Sequence, residues 1–97
     1  MRYLFMGFIR LHLLHHASKG PIYGLDMIRE LETHGYRVSP GTLYPILHGL
    51  EGKGLLLSDQ EVVGGKVRKL YTATDLGRRA LSEGVVKAEE LLRELRE

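Results

Sequence analysis

Lys66, Arg68 and Lys69 stand between Gly64 and Thr74 with no carboxylate among them. Cations grouped in this way can neutralise phosphate oxygens, which is the sequence-independent part of nucleic-acid binding. A short basic run is most often plain solvated surface, so its meaning depends on what lies beside it. A second group stands upstream: Ser39, Pro40, Gly41, Thr42, Tyr44 and His48. Thr42, Tyr44 and His48 carry side-chain donors suited to phosphates or base edges, and Gly41 permits close approach of a backbone. Ser39-Pro40 reads as an N-cap followed by proline at the first helical position, and free amides at such a start attract an anion. Periodicity alone accommodates equally well a core stripe with an ordinary polar exterior.

Other chemistries lack their parts. His12 and His16 lie four apart on a helix and can turn two imidazoles toward one metal, but no neighbouring Cys, Asp or Glu supplies a third ligand. Packing or surface histidines are expected, with no metal site. Cysteine is absent, which removes disulfides, thiolate ligands and thiol nucleophiles together. No paired carboxylates stand out, and Ser18 has no base-and-orienter arrangement. Gly64-Gly65 has no helix after it that would make a nucleotide loop. No catalytic residue, enzyme activity or cofactor is therefore expected.

The elements that must position these groups follow from the apolar pattern. The chain has 97 residues, 27% of them charged, and a formal net charge of +2, which fits one domain with a modest core. From Asp75 to Glu97 there are six acids against five bases, so the basic excess lies upstream. Arg10, His12, His15 and His16 interrupt the apolar start and no cleavage site follows, so a buried helix, a cytoplasmic protein and no membrane partner are expected. The first helix, Tyr3 to Ala17, carries Leu4, Phe5, Phe8, Ile9, Leu11, Leu13 and Leu14 around most of its circumference, which asks for cover on more than one side.

A second helix follows Pro21, with Gly24, Met27, Ile28 and Leu31 on one face and Gly35 closing it. His34 to Val38 then makes a tight connection to the third helix, where Leu43, Ile46, Leu47 and Leu50 form the buried stripe. Pro45 removes one amide donor there, so this helix either begins a turn later or bends. Leu55 to Val63 and Val67 to Ala73 read as strands around the Gly64-Gly65 hairpin. Thr74 caps a last helix in which Leu81, Val85, Ala88, Leu92 and Leu95 step 4, 3, 4, 3, a seam for another helix. Gly77 and Gly84 each cost that helix about 1 kcal/mol relative to alanine.

Two short helices joined by a tight turn and followed by a hairpin make a winged helix-turn-helix: mainly α, with a small β-hairpin wing. Setting Leu43, Leu47 and Leu50 inward turns Gly41, Pro45, His48 and Gly52 outward, with Thr42 and Tyr44 on the flanks. At these residues the chain resembles the PadR family of transcriptional regulators. The resemblance is carried by Gly20-Pro21-Ile22-Tyr23-Gly24, by Val38-Ser39-Pro40-Gly41-Thr42-Leu43-Tyr44-Pro45-Ile46-Leu47, and by Leu50-Glu51-Gly52-Lys53-Gly54-Leu55. Arg68-Lys69-Leu70-Tyr71 and Thr74-Asp75-Leu76-Gly77 are similar to that family's wing and the start of its last helix. Leu70 and Ala73 depart from it, standing where an aromatic and a larger aliphatic residue are common.

The resemblance implies a homodimeric repressor whose third helix and wing bind double-stranded operator DNA at an inverted repeat, often with release by a small molecule. Only one helix follows the wing here, so an effector does not carry over. The expected division is a winged-helix DNA-binding domain over 1–74 and a C-terminal dimerisation helix over 75–97. Dimerisation is expected through Phe5, Phe8, Leu81, Val85, Ala88, Leu92 and Leu95. The alternative is a winged-helix docking module without DNA binding, which has no need of the wing cations beside an acid-free helix start.

Overall fold

Leu13, Leu43, Leu47 and Tyr71 have no exposed surface and mark the centre toward which the helices and the sheet turn. The computed structural model describes residues 2–97. Its elements run α1 (Arg2–Lys19), β1 (Ile22–Tyr23), α2 (Gly24–Thr33), α3 (Pro40–Gly52), β2 (Leu56–Val63), β3 (Lys66–Ala73) and α4 (Asp75–Leu95). The architecture is the expected winged helix-turn-helix, mainly helical with a small wing.

α1 buries Ile9, Leu13, Leu14 and Ala17 in the core, and leaves Leu4 and Phe8 exposed. α3 begins at Pro40 and continues through Pro45, so it does not start a turn later. The carbonyl that loses its partner to Pro45 is that of Gly41, which lies at the exposed surface where water can satisfy it. Leu43, Ile46, Leu47 and Leu50 are all buried, as their spacing predicts.

The three antiparallel strands lie in the order β1-β3-β2. β1 is an addition to the two strands read from the sequence. Two residues are too few to show a period, and only the pairing of Ile22 with Tyr71 and of Tyr23 with Leu70 makes them a strand. At the hairpin, Gly64 and Gly65 take φ values of 57° and 77°, the doubly left-handed turn that matches strand twist.

Thr74 joins the wing to α4. Its hydroxyl accepts from the Gly77 amide at 2.9 Å and donates to the Gly54 carbonyl at 2.6 Å. Its own amide donates to the Leu55 carbonyl at 3.1 Å. A side chain at Gly77 would run into that same carbonyl, and one at Gly84 would stand 2.5 Å from Leu11 Cδ2 of α1. Both glycines that weaken α4 as an isolated helix are thus places where it lies close to the rest of the chain.

Candidate nucleic-acid interface

The outer face of α3 exposes Gly41, Pro45, His48 and Gly52 and is free of acids until Glu51. Ser39 occupies the N-cap position by its backbone, its carbonyl accepting from the Thr42 and Leu43 amides at 3.0 and 2.9 Å. Its hydroxyl does not cap the helix; it donates to Thr42 Oγ1 at 3.3 Å. Tyr44 is half-buried, like Thr42. Its ring is half-buried against the first residue of α2, where a Cβ on Gly24 would lie 2.5 Å from the Tyr44 Oη. Close packing on a glycine therefore sets the direction of this hydroxyl.

The wing cations do not form one patch. The β2–β3 register pairs Glu61 with Arg68 and Gln60 with Lys69. The pleat then places Lys66 and Arg68 on one face, and Lys69 on the other with Tyr71 and Ala73. Arg68 stacks its guanidinium 4.0 Å from the centre of the Tyr23 ring. The Tyr23 hydroxyl donates to Glu61, a bond that raises its pKa. Lys69 Nζ lies 5.6 Å from the ring centre of Tyr71, whose hydroxyl is buried with no hydrogen-bond partner among the described residues; burial raises its pKa, with nearby Lys69 opposing. The Ser58 hydroxyl donates to Glu51, holding its carboxyl below the usual range with smaller help from Lys69 and His48.

Tyr44, Arg68 and Lys69 nevertheless meet. Together with Tyr23 and Gly24 they line a cleft of about 220 Å³ between the start of α2, α3 and the base of the wing. Lys66 stands apart from it, beside the hairpin tip. Sequence reasoning missed Tyr23, Gly24 and Glu61 as members of this surface. Tyr23 and Gly24 fall inside a quoted motif, but nothing in their spacing shows that one carries Arg68 and the other seats Tyr44.

The residues expected at a dimer seam divide into two groups. Phe5 is half-buried, edge-on to Tyr36 at 6.2 Å and stacked on Phe8 at 6.3 Å. Leu81 packs partly against the core, and Ala88 is half-buried. Phe8, Val85, Leu92 and Leu95 remain open, with Leu95 72% exposed. Phe8, Leu11, Leu81 and Val85 line an apolar groove between α1 and α4.

His12 and His16 do not converge on a common point. His12 stacks on His34 at 4.5 Å, whereas His16 Nε2 lies 3.3 Å from Glu30 Oε1, which also meets His34 at 3.2 Å. Burial, and secondarily the charge of His34, lower the pKa of His12. Among the described residues no group of three or more metal-ligating side chains is arranged to hold a metal ion, and no helix is long and apolar enough to cross a membrane.

A helix-turn-helix followed by a two-stranded wing defines the winged-helix class. Within it, the model of the PadR-like transcriptional regulator family matches residues 13–83, and the chain belongs to that family. It is 55% identical over 87 residues to transcriptional regulator Rv3488 of Mycobacterium tuberculosis, covering 90% of this chain and 81% of that protein. A PadR family regulator from Eggerthella lenta superposes with a TM-score of 0.85 at 33% identity, over 96% of this chain and 82% of that one. A PadR-like regulator from Bacillus cereus gives 0.87 at 25% identity, over 97% and 93% of the two chains. The protein is a transcriptional regulator and not an enzyme.

Proposed function

We propose that the chain binds double-stranded DNA as a homodimer at an inverted repeat and acts as a repressor by occupying that operator. The observation that carries the DNA reading is the acid-free, exposed start of α3 beside a wing whose Lys66, Arg68 and Lys69 form no ion pair among the described residues. In this reading Ser39, Pro40, Gly41, Thr42, Tyr44 and His48 meet the DNA from α3, and the wing cations meet it from the hairpin. Repression follows the family resemblance.

Dimerisation is supported by α4, whose residues from Glu89 onward are exposed on every side. Two bare helical turns with Leu91, Leu92 and Leu95 uncovered are marginal alone and are stabilised by a second helix. Phe8 and Val85 beside the α1–α4 groove extend the same apolar surface. In a two-fold dimer the paired α3 helices reach half-sites about 34–36 Å apart. Footprinting of the wild-type chain on the DNA upstream of its own gene tests the reading. Protection of an inverted repeat is expected. Absence of any protected site, with no binding to duplex even at low salt, would instead leave a docking module.

A further inference from the structure

We infer that the cleft between the start of α2, α3 and the base of the wing seats one backbone phosphate of the DNA. The Tyr44 hydroxyl, Arg68 and Lys69 are its donors, and Tyr23 and Glu61 are the residues that position Arg68. The inference rests on the DNA-binding reading and adds to it the place and chemistry of a single contact.

Glu61 stands directly across the ladder from Arg68, and Glu51 is close enough to Lys69 to feel its charge. Either acid could have closed an ion pair with its neighbour. Instead Glu61 accepts from the Tyr23 hydroxyl and Glu51 from the Ser58 hydroxyl. Among the described residues the ion pairs are His16 and His34 with Glu30, and Arg78 with Asp75, so Arg68 and Lys69 have none. Both line the cleft, and Asp26, exposed in the first turn of α2, does not. Two cations are therefore kept beside two acids that neutral hydroxyls occupy.

The geometry of each donor suits a tetrahedral anion. Arg68, held over the Tyr23 ring and in no ion pair among the described residues, keeps its N–H donors for a bidentate oxygen pair. Lys69 adds a point charge from the other face of β3. Tyr44 makes no side-chain hydrogen bond among the described residues, although its ring is half-buried and tightly seated on Gly24. A donor fixed in direction without a partner, next to two unpaired cations, fits a phosphate oxygen. A base edge offers the two cations no charge to neutralise. Tyr44 thus positions the DNA and does not read it, in contrast to Thr42 and His48 on the open part of α3.

Fluorescence anisotropy with the upstream DNA fragment and a random duplex of equal length, over a range of salt, tests this. Tyr44→Phe removes one hydrogen bond to a charged group and should weaken both duplexes by the same factor, roughly tenfold or more, without changing the salt slope. Lys69→Met should weaken both and reduce the log–log slope by about 0.9. Arg68→Lys keeps the charge but loses the fork and the stack, so affinity for both should fall at unchanged slope. Tyr23→Leu should reproduce the Arg68→Lys loss and add little to it in the double variant, the sign of a residue acting through Arg68. Matching thermal midpoints for Tyr44→Phe and wild type keep the comparison clear of folding effects. A Tyr44→Phe chain that binds the random duplex like wild type overturns the seat, whether or not it binds the upstream fragment less well. A wild-type chain that binds neither duplex overturns the DNA reading itself, which is a separate and recognisable result.

Discussion

The surface around α3 and the wing and the surface along α1 and α4 leave different things unpaired. At the first, among the described residues, the wing cations form no ion pair and the Tyr44 hydroxyl has no hydrogen-bond partner, while nearby acids are held by Tyr23 and Ser58. At the second, apolar side chains lack cover: Phe8, Val85, Leu92 and Leu95 are each more than two-fifths exposed. Unpaired charge suits a polyanion, whose contacts are hydrated and weakened by salt. Bare aliphatic side chains suit a dry seam with another helix, which salt does not weaken in the same way. The difference assigns separate partners to the two sides of a small domain, and it can be tested one side at a time.

The largest effect is expected on the apolar side. Changing Leu92 and Leu95 together to glutamate places uncompensated charge at the proposed seam, where burial is strongly unfavourable. The double variant should sediment as a monomer and its operator affinity should fall to that of a single half-site. Loss of dimer without loss of operator affinity would separate the two surfaces completely. The root of α4 gives the next effect. Gly77→Ala drives a methyl into the Leu55 carbonyl and should destabilise the fold by about 1–3 kcal/mol, read as a lower Tm. Gly84→Ala meets only the flexible end of Leu11 and should cost less.

On the charged side the expected changes are in selectivity. Thr42→Val and His48→Ala alter the open face of α3, and at least one should cost about 1–3 kcal/mol of discrimination between operator and random DNA. Lys66→Met, beside the hairpin tip, should weaken both DNAs alike and lower the salt slope by about 0.9. Equal effects of Thr42→Val and of His48→Ala on both DNAs would remove base reading from α3.

The smallest effect belongs to the histidines between α1 and α2. His12 has its pKa lowered from its ordinary 6.5 by burial and by His34, with Glu30 opposing. The folded chain therefore binds fewer protons here than the unfolded chain. His12 lowers stability as pH falls below 6.5, and the loss levels off once pH passes beneath the folded-state value. Melting curves at neutral and mildly acidic pH should show a smaller acid loss for His12→Gln than for wild type. Identical losses would take His12 out of the pH response.

The four helices and the hairpin were legible because each carries its own signal: the α3 stripe of Leu43, Ile46, Leu47 and Leu50, the paired glycines of the turn, and Thr74 ahead of α4. Their bounds moved by only a few residues, as with α1, which extends to Lys19. What stayed hidden is contact between distant segments. β1 exists only because Tyr71 and Leu70 pair with it. Lys66, Arg68 and Lys69 read as one patch until the pleat divides them between two faces, and the packing of Phe5 against Tyr36 has no signal in the spacing. Glycine propensity gave Gly77 and Gly84 a cost, whereas close packing gives them a reason.

The central claim is that two chains, joined along α4, place two α3 helices on one operator. Sedimentation of the wild-type chain with a duplex carrying the full inverted repeat, and with one carrying a half-site, tests it most directly. The account predicts two chains on the full duplex and markedly weaker binding to the half-site. One chain per duplex, bound as tightly to the half-site as to the full repeat, would contradict it.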